Sequence, residues 1–435
     1  MTRSIFKKPF KTGRSFAALA LVLLLAFTFA AAQASGLTDE QKLNAYYTLI
    51  TMKINSGAYD EALENIDKAM PLAGDDPQFL ADLWLKKGAV HAMQAKYDEA
   101  LFALQKALEL DSGTAEAHLL SAQIYSEKGE ALKAVEHMES YLALRPDDTA
   151  MHAFLAELHF SLGQYKAAEE AYTRFMAGQE EVDPAALYMR GVSFMQSGRY
   201  KEAIDDLSFV VDDAEHGSNA RFNRAVSYMQ LGRLDEAEAD FTVLMDAGIQ
   251  MAGLHFNRGV VRMSLGNVAG AVEDFTSSIA GDEQTADALV NRATCRLQLE
   301  EFEGAYDDFT RYMELTGKKD TSTYYRGIAL LSLGKYDAAV DDFTTFLDDI
   351  VPQMTPETLA DLPAWARNYR AAAHMGAARF EEAIADLTVN IDQGLLKAIS
   401  YYNRSLCYQS VGKNDLAEAD LKMSLKADEE ATPAP

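Results

Sequence analysis

A short pattern that recurs along this 435-residue chain limits its possible folds more than any other feature. In most copies a glycine is followed two residues later by an aromatic or apolar side chain, and an alanine lies five residues after the glycine. We number the copies as repeats 1 to 11, with turn positions at Gly57, Ala95, Gly129, Gly163, Gly198, Gly232, Gly266, Glu300, Gly334, Ala378 and Gly412. Seven of the ten intervals between them are 34 residues long, and the others are 35, 38 and 44. Such a period is typical of stacked supersecondary units, and not of two or three ordinary globular domains.

Two further positions in each repeat carry small side chains. The alanines after the turns are Ala62, Ala100, Ala134, Ala168, Ala203, Ala237, Ala271, Ala305, Ala339, Ala383 and Ala417. Glycine, alanine or serine lies seven residues before ten of the eleven turns, and Ile50 is the exception. In a hairpin of two amphipathic helices, residues equidistant from the turn face each other, and small side chains let the backbones approach. Since glycine can also end the first helix in the left-handed conformation, each repeat is predicted to be a helical hairpin.

This combination of period, small residue, turn and alanine resembles the tetratricopeptide repeat over residues 38–427. Trp84 with Gly88 matches further family positions, as do the phenylalanines four residues after the alanine in four repeats, Phe241, Phe275, Phe309 and Phe343. The proline that usually closes the motif is found at its expected offset only at Pro146. The resemblance implies an all-α fold, a right-handed superhelical α-solenoid. Its first helices would line a concave surface that binds extended peptides or partner helices.

The array is predicted to consist of two segments. Residues 38–180 hold repeats 1 to 4, and residues 181–427 hold repeats 5 to 11. The longest interval contains an insertion near residues 348–363, just before Trp365. Insertions in repeat arrays usually form loops, sometimes at the binding face, so this one is either a surface loop or a means of exposing Trp365 to a partner. The last residues, 428–435, are predicted to form a flexible tail.

The first 34 residues have the pattern of a secretory signal peptide. A basic stretch precedes the apolar run 16–32, and Ala32 and Ala34 supply the small residues of a cleavage site. Cleavage after Ala34 would export the chain to the periplasm or the extracellular space. The alternative is an uncleaved membrane anchor. Cys295 and Cys407 are equivalent residues three repeats apart, too far for a disulfide, so both are predicted to be small core residues.

The charge of the chain limits its partners. Without residues 1–34 the chain has 35 Lys+Arg and 66 Asp+Glu, a net charge of −31. Such an acidic chain repels nucleic acid and anionic membrane surfaces, and no membrane span is expected after signal cleavage. The acidity would serve solubility or a basic partner. The resemblance to tetratricopeptide repeats implies that the partner is a protein or peptide.

A pair of opposite charges is repeated seven times in the second segment. Eight residues before the turn, repeats 5 to 11 carry Arg190, Arg224, Arg258, Arg292, Arg326, Arg370 and Arg404. Eight residues after it they carry Asp206, Asp240, Asp274, Asp308, Asp342, Asp386 and Asp420. Repeats 1 to 4 lack both residues. The symmetric offsets place each pair face to face across its hairpin, where a guanidinium can grip a carboxylate with two hydrogen bonds. The pairs are either structural pins or, alternatively, a ladder of charge that binds a ligand.

Residues ten, six and three positions before the turn fall on one stripe of each first helix. The predicted groove residues are Tyr188, Val192, Met195, Phe222, Met229, Phe256, Met263, Tyr324 and Tyr402. An aromatic and methionine lining adapts to varied apolar side chains, which suits the capture of a peptide or a helix. The alternative is that neighbouring first helices bury this stripe against one another.

Motifs for catalysis and cofactor binding are missing from the sequence. Neither a nucleophile elbow nor a phosphate-binding loop is present, and His118, His152 and His159 have no cysteine or carboxylate at a recognised metal spacing. No cofactor, no metal and no enzymatic activity are predicted. The leading hypothesis is an exported adaptor whose groove holds a peptide or protein. A structural scaffold for a cell-envelope complex is the alternative, and an enzyme or metal-binding protein comes third.

Overall fold

A computed structural model describes residues 36–281, 285–355 and 361–431. This part of the chain forms 22 α-helices and contains no β-strand. The predicted all-α fold of helical hairpins is confirmed. The predicted signal peptide, residues 1–34, lies outside the described residues.

The chain divides into two compact units, with the boundary between Ala186 and Leu187. Unit 1 contains the hairpins of repeats 1 to 4. Its helices are α1 (Asp39–Asn55), α2 (Tyr59–Ala69), α3 (Pro77–Met93), α4 (Tyr97–Leu110), α5 (Ala115–Glu127), α6 (Ala131–Leu144), α7 (Met151–Ser161) and α8 (Tyr165–Ala177). A short 3₁₀ helix, Met70–Leu72, follows α2. The predicted segment boundary at 180/181 stays a prediction.

Unit 2 contains the hairpins of repeats 5 to 11 and begins inside α9. Its helices are α9 (Pro184–Gln196), α10 (Tyr200–Ser208), α11 (Gly217–Gln230), α12 (Leu234–Asp246), α13 (Leu254–Ser264), α14 (Val268–Ala280), α15 (Thr285–Gln298), α16 (Phe302–Thr316), α17 (Thr321–Ser332), α18 (Tyr336–Thr345), α19 (Leu362–Gly376), α20 (Phe380–Asp392), α21 (Lys397–Ser410) and α22 (Asn414–Ala431). Odd-numbered helices are the first helices of their hairpins, and even-numbered helices are the second.

The turn inside each hairpin has the predicted left-handed backbone. All eleven turn positions have φ between 57° and 80°, including the three that are not glycine, Ala95, Glu300 and Ala378. The next residue donates its N–H to a carbonyl of the last helical turn, as Arg233 does to Tyr228 at 2.9 Å. This pattern satisfies carbonyl groups at the end of the first helix and reverses the chain in few residues.

Where the small residue before the turn is glycine, it makes room for a large side chain of the second helix. A β-carbon at Gly259 would lie 2.9 Å from the Phe275 ring, and one at Gly327 would lie 2.9 Å from Phe343. All four residues are buried. The small residue therefore leaves space for the side chain nine positions after the turn. This contact and the left-handed turn together determine how the two helices of a hairpin pack.

The two cysteines are buried and unpaired, as predicted. Burial raises the pKa of the Cys295 and Cys407 thiols to about 11. Both therefore remain thiols at neutral pH and pack as small apolar side chains.

The insertion after α18 begins as part of the core. A π-helical turn, Phe346–Ile350, and a 3₁₀ helix, Val351–Gln353, continue α18, and Phe346 and Ile350 are buried. Trp365 is half-buried on the same apolar cluster, with its ring centroid 6.0 Å from that of Tyr369. Within the predicted insertion, Ile350 is core while Asp348 and Asp349 are exposed, and Trp365 packs on the core cluster. Which of the two alternatives holds for the insertion stays a prediction.

The last helix, α22, continues to Ala431. Residues 428–431 are therefore helical, and the prediction of a flexible tail from residue 428 was wrong for them. Charged residues fill the end of this helix, and Lys426 lies 3.8 Å from Glu430 one turn later. Such a pair supports an exposed helix end.

Candidate functional site

A ladder of arginine–aspartate pairs runs along unit 2. In repeats 5 to 11 the arginine before the turn faces the aspartate after it in its own hairpin. The arginine Nε donates to one carboxylate oxygen at 2.7–2.9 Å in all seven pairs. Its Nη2 donates to the other oxygen at 2.6–2.9 Å. The aspartates are only 2–7% exposed and six of the arginines are half-buried, so each pair is a bidentate contact between two helices with a buried carboxylate.

The same arginines also bind the preceding repeat, which the sequence reasoning missed. Arg292 Nη1 donates to Thr276 Oγ1 of the previous hairpin at 3.0 Å. Five such bonds of 2.9–3.4 Å are present, with acceptors Ser208, Thr242, Thr276, Thr344 and Thr388. Each acceptor lies two residues after a ladder aspartate. Serine or threonine has this offset in six of the seven repeats, and Lys422 replaces it in repeat 11, so the sequence contained the signal.

The ladder is an internal brace. Hydrogen bonding to the paired aspartate raises the pKa of Arg224, Arg326, Arg370 and Arg404, so these guanidinium groups stay charged. The bonds go to protein groups of the same and the preceding hairpin. A row of charges that binds a ligand would leave these groups exposed, and this ladder does not.

The aromatic residues of the predicted binding stripe take part in packing. Phe222 lies edge-on to Phe241, with ring centroids 5.6 Å apart, and Phe256 lies 5.8 Å from Phe275. Both stripe residues are half-buried. Tyr402 lies in α21, the first helix of repeat 11, and is 49% exposed. The stripe therefore has a packed side and an accessible edge.

The remaining stripe residues differ in accessibility. Asn223 Nδ2 donates to the Tyr188 hydroxyl at 3.2 Å, which joins the first helices of repeats 5 and 6. Val192 is buried. The half-buried methionines are Met195, Met229 and Met263. Whether these residues contact a partner stays a prediction.

Tyr324 does not belong to an accessible surface. Only 5% of it is exposed, and its ring lies 5.2 Å from Phe346 and 6.1 Å from Tyr369. Phe346 lies on the continuation of α18, and Tyr369 lies on α19, the first helix of the next repeat. Tyr324 is therefore a core residue, and we remove it from the candidate surface.

An open cavity of about 380 Å³ lies on the first helices α13, α15 and α17. Phe256 is its stripe residue, and Val290 and Thr294 occupy the equivalent stripe positions of repeat 8. Asn291 and Tyr325, each nine residues before a turn, complete the row. The stripe therefore leads to a concave, mixed polar and apolar site of the kind that holds small groups.

One side of this cavity is acidic. Tyr312 donates its hydroxyl hydrogen to Asp320 at 2.7 Å, and the Ser322 backbone N–H donates to the other oxygen of the same carboxylate at 2.9 Å. Although burial opposes ionisation, hydrogen bonds from Ser322 and Tyr312 hold the pKa of Asp320 below its usual value. Burial and the hydrogen bond to Asp320 raise the pKa of Tyr312 to about 12. Together with the exposed Asp287, this carboxylate favours a cationic group.

Within residues 36–281, 285–355 and 361–431, no three His, Cys, Asp or Glu side chains are grouped so that they could hold a metal ion. No helix in the same part of the chain has the length and apolar character needed to cross a membrane.

Comparison with known families gives two partial matches. Residues 155–208 and 188–252 match the family model described as tetratricopeptide repeat. Residues 93–175 match the model described as anaphase-promoting complex, cyclosome, subunit 3.

Three curated relatives match shorter parts of the chain. Human tetratricopeptide repeat protein 13 is 24% identical over 173 residues, 39% of this chain and 19% of that protein. TPR repeat-containing protein YpiA of Bacillus subtilis is 26% identical over 184 residues, 40% of this chain and 42% of that protein. Human protein O-mannosyl-transferase TMTC1 is 30% identical over 116 residues, 27% of this chain and 13% of that protein. The chain spans less than half of each relative's length.

Solved structures also resemble the chain in part. The structure of Naa15/Naa10 bound to HypK-THB aligns with a TM-score of 0.47 and 11% identity, over 89% of this chain and 64% of that one. A tetratricopeptide repeat protein from Parabacteroides merdae aligns with a TM-score of 0.37 and 19% identity, over 59% of this chain and 99% of that one.

Proposed function

Because this chain is a tetratricopeptide repeat protein, we propose that it is an exported, non-catalytic adaptor that binds a peptide or a partner protein. The repeat fold is one that serves protein–protein interaction. The binding surface lies on the first helices of unit 2, within residues 187–409. Export rests on the signal-like residues 1–34.

The cavity on α13, α15 and α17 is the observation that carries this proposal. It lies on the stripe that the repeat pattern selects, and it joins the half-buried Phe256 to Asn291 and Tyr325. In the described part of the chain, the Asn291 side chain has no hydrogen-bond partner, so its amide is available to a peptide backbone. Apolar walls with a few polar groups are what a peptide side chain and its backbone require.

The expected ligand is an extended segment with apolar and basic side chains. Asp287 and Asp320 provide negative charge at the cavity, and the chain without residues 1–34 has a net charge of −31. Both features attract cationic partners and speed their association.

A pull-down that compares matched variants tests this surface. The test variant is Phe222→Ala/Phe256→Ala/Tyr402→Ala, and the control is Leu315→Ala, an apolar residue 58% exposed on the second helix α16. Circular dichroism establishes that both fold. We expect the test variant alone to lose the partner, because truncation removes the aromatic anchors of the surface.

A partner that the test variant retains would contradict the surface. Exchange of Asp287 for lysine provides a second check that leaves the packed aromatics intact. On this account Asp287→Lys weakens capture of a basic partner, since Asp287 is exposed at the cavity.

A second function, scaffolding of a cell-envelope complex, is favoured by the terminal repeat. Its last helix exposes apolar side chains, namely Leu416 at 48%, Leu421 at 42%, Met423 at 41% and Leu425 at 68%. Apolar area of this kind marks association sites. If scaffolding is the function, Leu421→Glu/Leu425→Glu abolishes assembly in light scattering, whereas the aromatic triple variant assembles normally.

A further inference from the structure

The ladder positions of repeat 4, in unit 1, surround an open cavity. Leu155 lies eight residues before the turn at Gly163, and Ala171 lies eight residues after it, so these two occupy the arginine and aspartate positions. Glu139, ten residues after the turn of repeat 3, takes the place of the ladder hydroxyl. All three ladder-position residues line a cavity of about 740 Å³ between α6, α7 and α8. A ladder arginine fills the equivalent space in unit 2.

The cavity has apolar walls and charged groups at its edge. Leu142, Leu155 and Ala171 are buried and form the apolar part. Glu139 and Glu170 are exposed carboxylates at the edge. An elongated side chain with an apolar stem and a cationic head has the shape and charge that this arrangement accepts.

A buried histidine without a partner points to a ligand. His152 lines the cavity and is only 8% exposed, and among the described residues its Nδ1 has no hydrogen-bond partner. Burial and the nearby charge of Arg174 lower the pKa of His152, so the ring is neutral at neutral pH. Since a buried polar atom without a partner is costly, a donor from a ligand would be stabilising there.

We propose that this cavity binds the guanidinium group of an arginine side chain presented by a basic partner protein. The stem of the arginine would pack against Leu155 and Ala171. Its guanidinium would pair with Glu139 and Glu170 and donate to a nitrogen of His152. This site lies in unit 1 and is separate from the surface proposed on unit 2.

The other charged groups at the cavity do not reverse its preference. Arg174 opposes a cation, but it is exposed and lies four residues after Glu170 on the same helix. His159 Nδ1 lies 2.7 Å from Gln164 Oε1, and its Nε2 lies 4.0 Å from Glu139 Oε1, so Glu139 faces this ring as well as the cavity. Two carboxylates against one guanidinium leave the edge negative.

Ligand-observed NMR with the full chain tests the proposal directly. The probes are Nα-acetyl-arginine amide, the lysine analogue and the neutral citrulline analogue. We expect the arginine probe to bind about tenfold or more tighter than citrulline, the factor expected from one charge-assisted hydrogen-bonded pair. Lysine binds more weakly than arginine, because its point charge cannot make a bidentate contact. Equal binding of arginine and citrulline, or no binding of arginine, overturns the proposal.

The decisive variant fills the cavity with side chains of the protein itself. Leu155→Arg/Ala171→Asp recreates the ladder pair of unit 2 and should remove binding of the arginine probe. The control, Ser161→Arg/Lys166→Asp, adds the same residue types at exposed positions of α7 and α8 that do not line the cavity. Binding to the control should match that of the original chain.

A third variant keeps the test valid if the refilled chain does not fold. Glu139→Gln/Glu170→Gln changes two exposed side chains, and it should weaken the arginine probe several-fold without changing the circular dichroism spectrum. Unchanged affinity in this variant overturns the assignment of the carboxylates. A site that binds free arginine but no arginine-containing peptide overturns the assignment to a partner protein.

Discussion

Units 1 and 2 are built from the same hairpin but connect neighbouring hairpins differently. In unit 2 one arginine grips the aspartate of its own repeat and a hydroxyl of the repeat before it. In unit 1 the equivalent positions vary. Lys87 pairs with Asp67 of the preceding repeat at 2.7 Å, His118 and His137 face each other with their Nδ1 atoms 3.1 Å apart, and repeat 4 has an open cavity.

This difference shows that a repeat sequence has two separate roles: it sets the geometry of one hairpin, and it connects that hairpin to the next. The left-handed turn and the small residue before it are found in both units, and they set the geometry of a single hairpin. The ladder is found only in unit 2, and it fixes how one hairpin is joined to the next. Stability of a repeat array is the sum of such intrinsic and interface contributions, so the two can be changed independently.

Breaking one rung of the ladder should have the largest effect. We expect Arg292→Ala to lower the free energy of unfolding of unit 2 by about 3–5 kcal/mol, because it leaves the buried Asp308 carboxylate without its bidentate partner. Arg296, whose Nη1 lies 2.7 Å from Asp308, would keep the effect from being larger. Urea denaturation measures the change.

The double variant Arg292→Ala/Asp308→Ala tests whether the two side chains stabilise the fold by interacting with each other. Its destabilisation should be smaller than the sum of the two single effects, since removal of both charges leaves none unpaired. Strict additivity would mean that the two side chains do not interact. Glu64→Ala, which breaks an exposed pair with Lys68, should cost far less than either single substitution at the buried rung.

The second prediction concerns pH and affects unit 1. Burial lowers the pKa of His118, and burial together with the charge of His118 lowers the pKa of His137. The unfolded chain therefore binds protons more readily, so the stabilisation is complete above the ordinary histidine pKa and is lost as pH falls below it. Ser112, Tyr125 and Glu136 are the other groups around the pair, and none removes the clash of two protonated Nδ1 atoms.

Hydrogen exchange at pH 7.5 and pH 5.5 tests this pair. After correction for intrinsic rates, amides of α5 and α6 should lose protection at the lower pH, and those of α15 and α16 should not, because a guanidinium stays charged throughout. The substitution His137→Gln should reduce the pH dependence in α5 and α6. An unchanged pH dependence would show that other groups cause it.

Removing the bond between repeats should have a smaller effect. Thr276→Ala deletes the acceptor for Arg292 Nη1, and we expect a loss of about 0.5–1.5 kcal/mol in urea denaturation. Thr276→Ser keeps the hydroxyl and should restore most of the loss. If serine and alanine destabilise equally, the methyl group of Thr276 matters and the bond does not.

The smallest effect should be common to both units. Ala95 in unit 1 and Glu300 in unit 2 have left-handed backbones that favour glycine. Ala95→Gly and Glu300→Gly should each stabilise the chain by up to about 1 kcal/mol in thermal denaturation. Gly232→Ala should destabilise it by a similar amount. Opposite signs for Ala95→Gly and Glu300→Gly would mean that the turn is not the shared element.

The sequence predicted those features that depend only on local spacing. The turn positions, the small residues and the arginine–aspartate contacts follow from offsets within one hairpin. Gly259 is an example of the small residue, and Arg258 is an example of the paired arginine. The bond from Arg292 to Thr276 was missed because it joins two repeats. Its signal, a hydroxyl two residues after six of the seven aspartates, is visible only when consecutive repeats are compared.

The candidate surface was predicted less completely. Tyr324 has the same offset as Phe222 and Phe256, but it is buried by Phe346 and by Tyr369 of the next repeat, contacts that its own first helix does not reveal. Asp320 and Tyr312 lie outside the stripe and reach the cavity from the end of one hairpin and the start of the next. A prediction that uses only offsets within a first helix cannot find such residues, because they lie outside that helix.

The coupling of neighbouring repeats by the ladder is tested most directly by hydrogen exchange in the Arg292→Ala variant. The account predicts faster exchange in α15 and α16, which carry the pair, and also in α14, which carries Thr276. Exchange in α11 and α12, one repeat further away, should be unchanged. Faster exchange confined to α15 and α16 would contradict the account, because it would show that the arginine stabilises its own hairpin without connecting it to the one before.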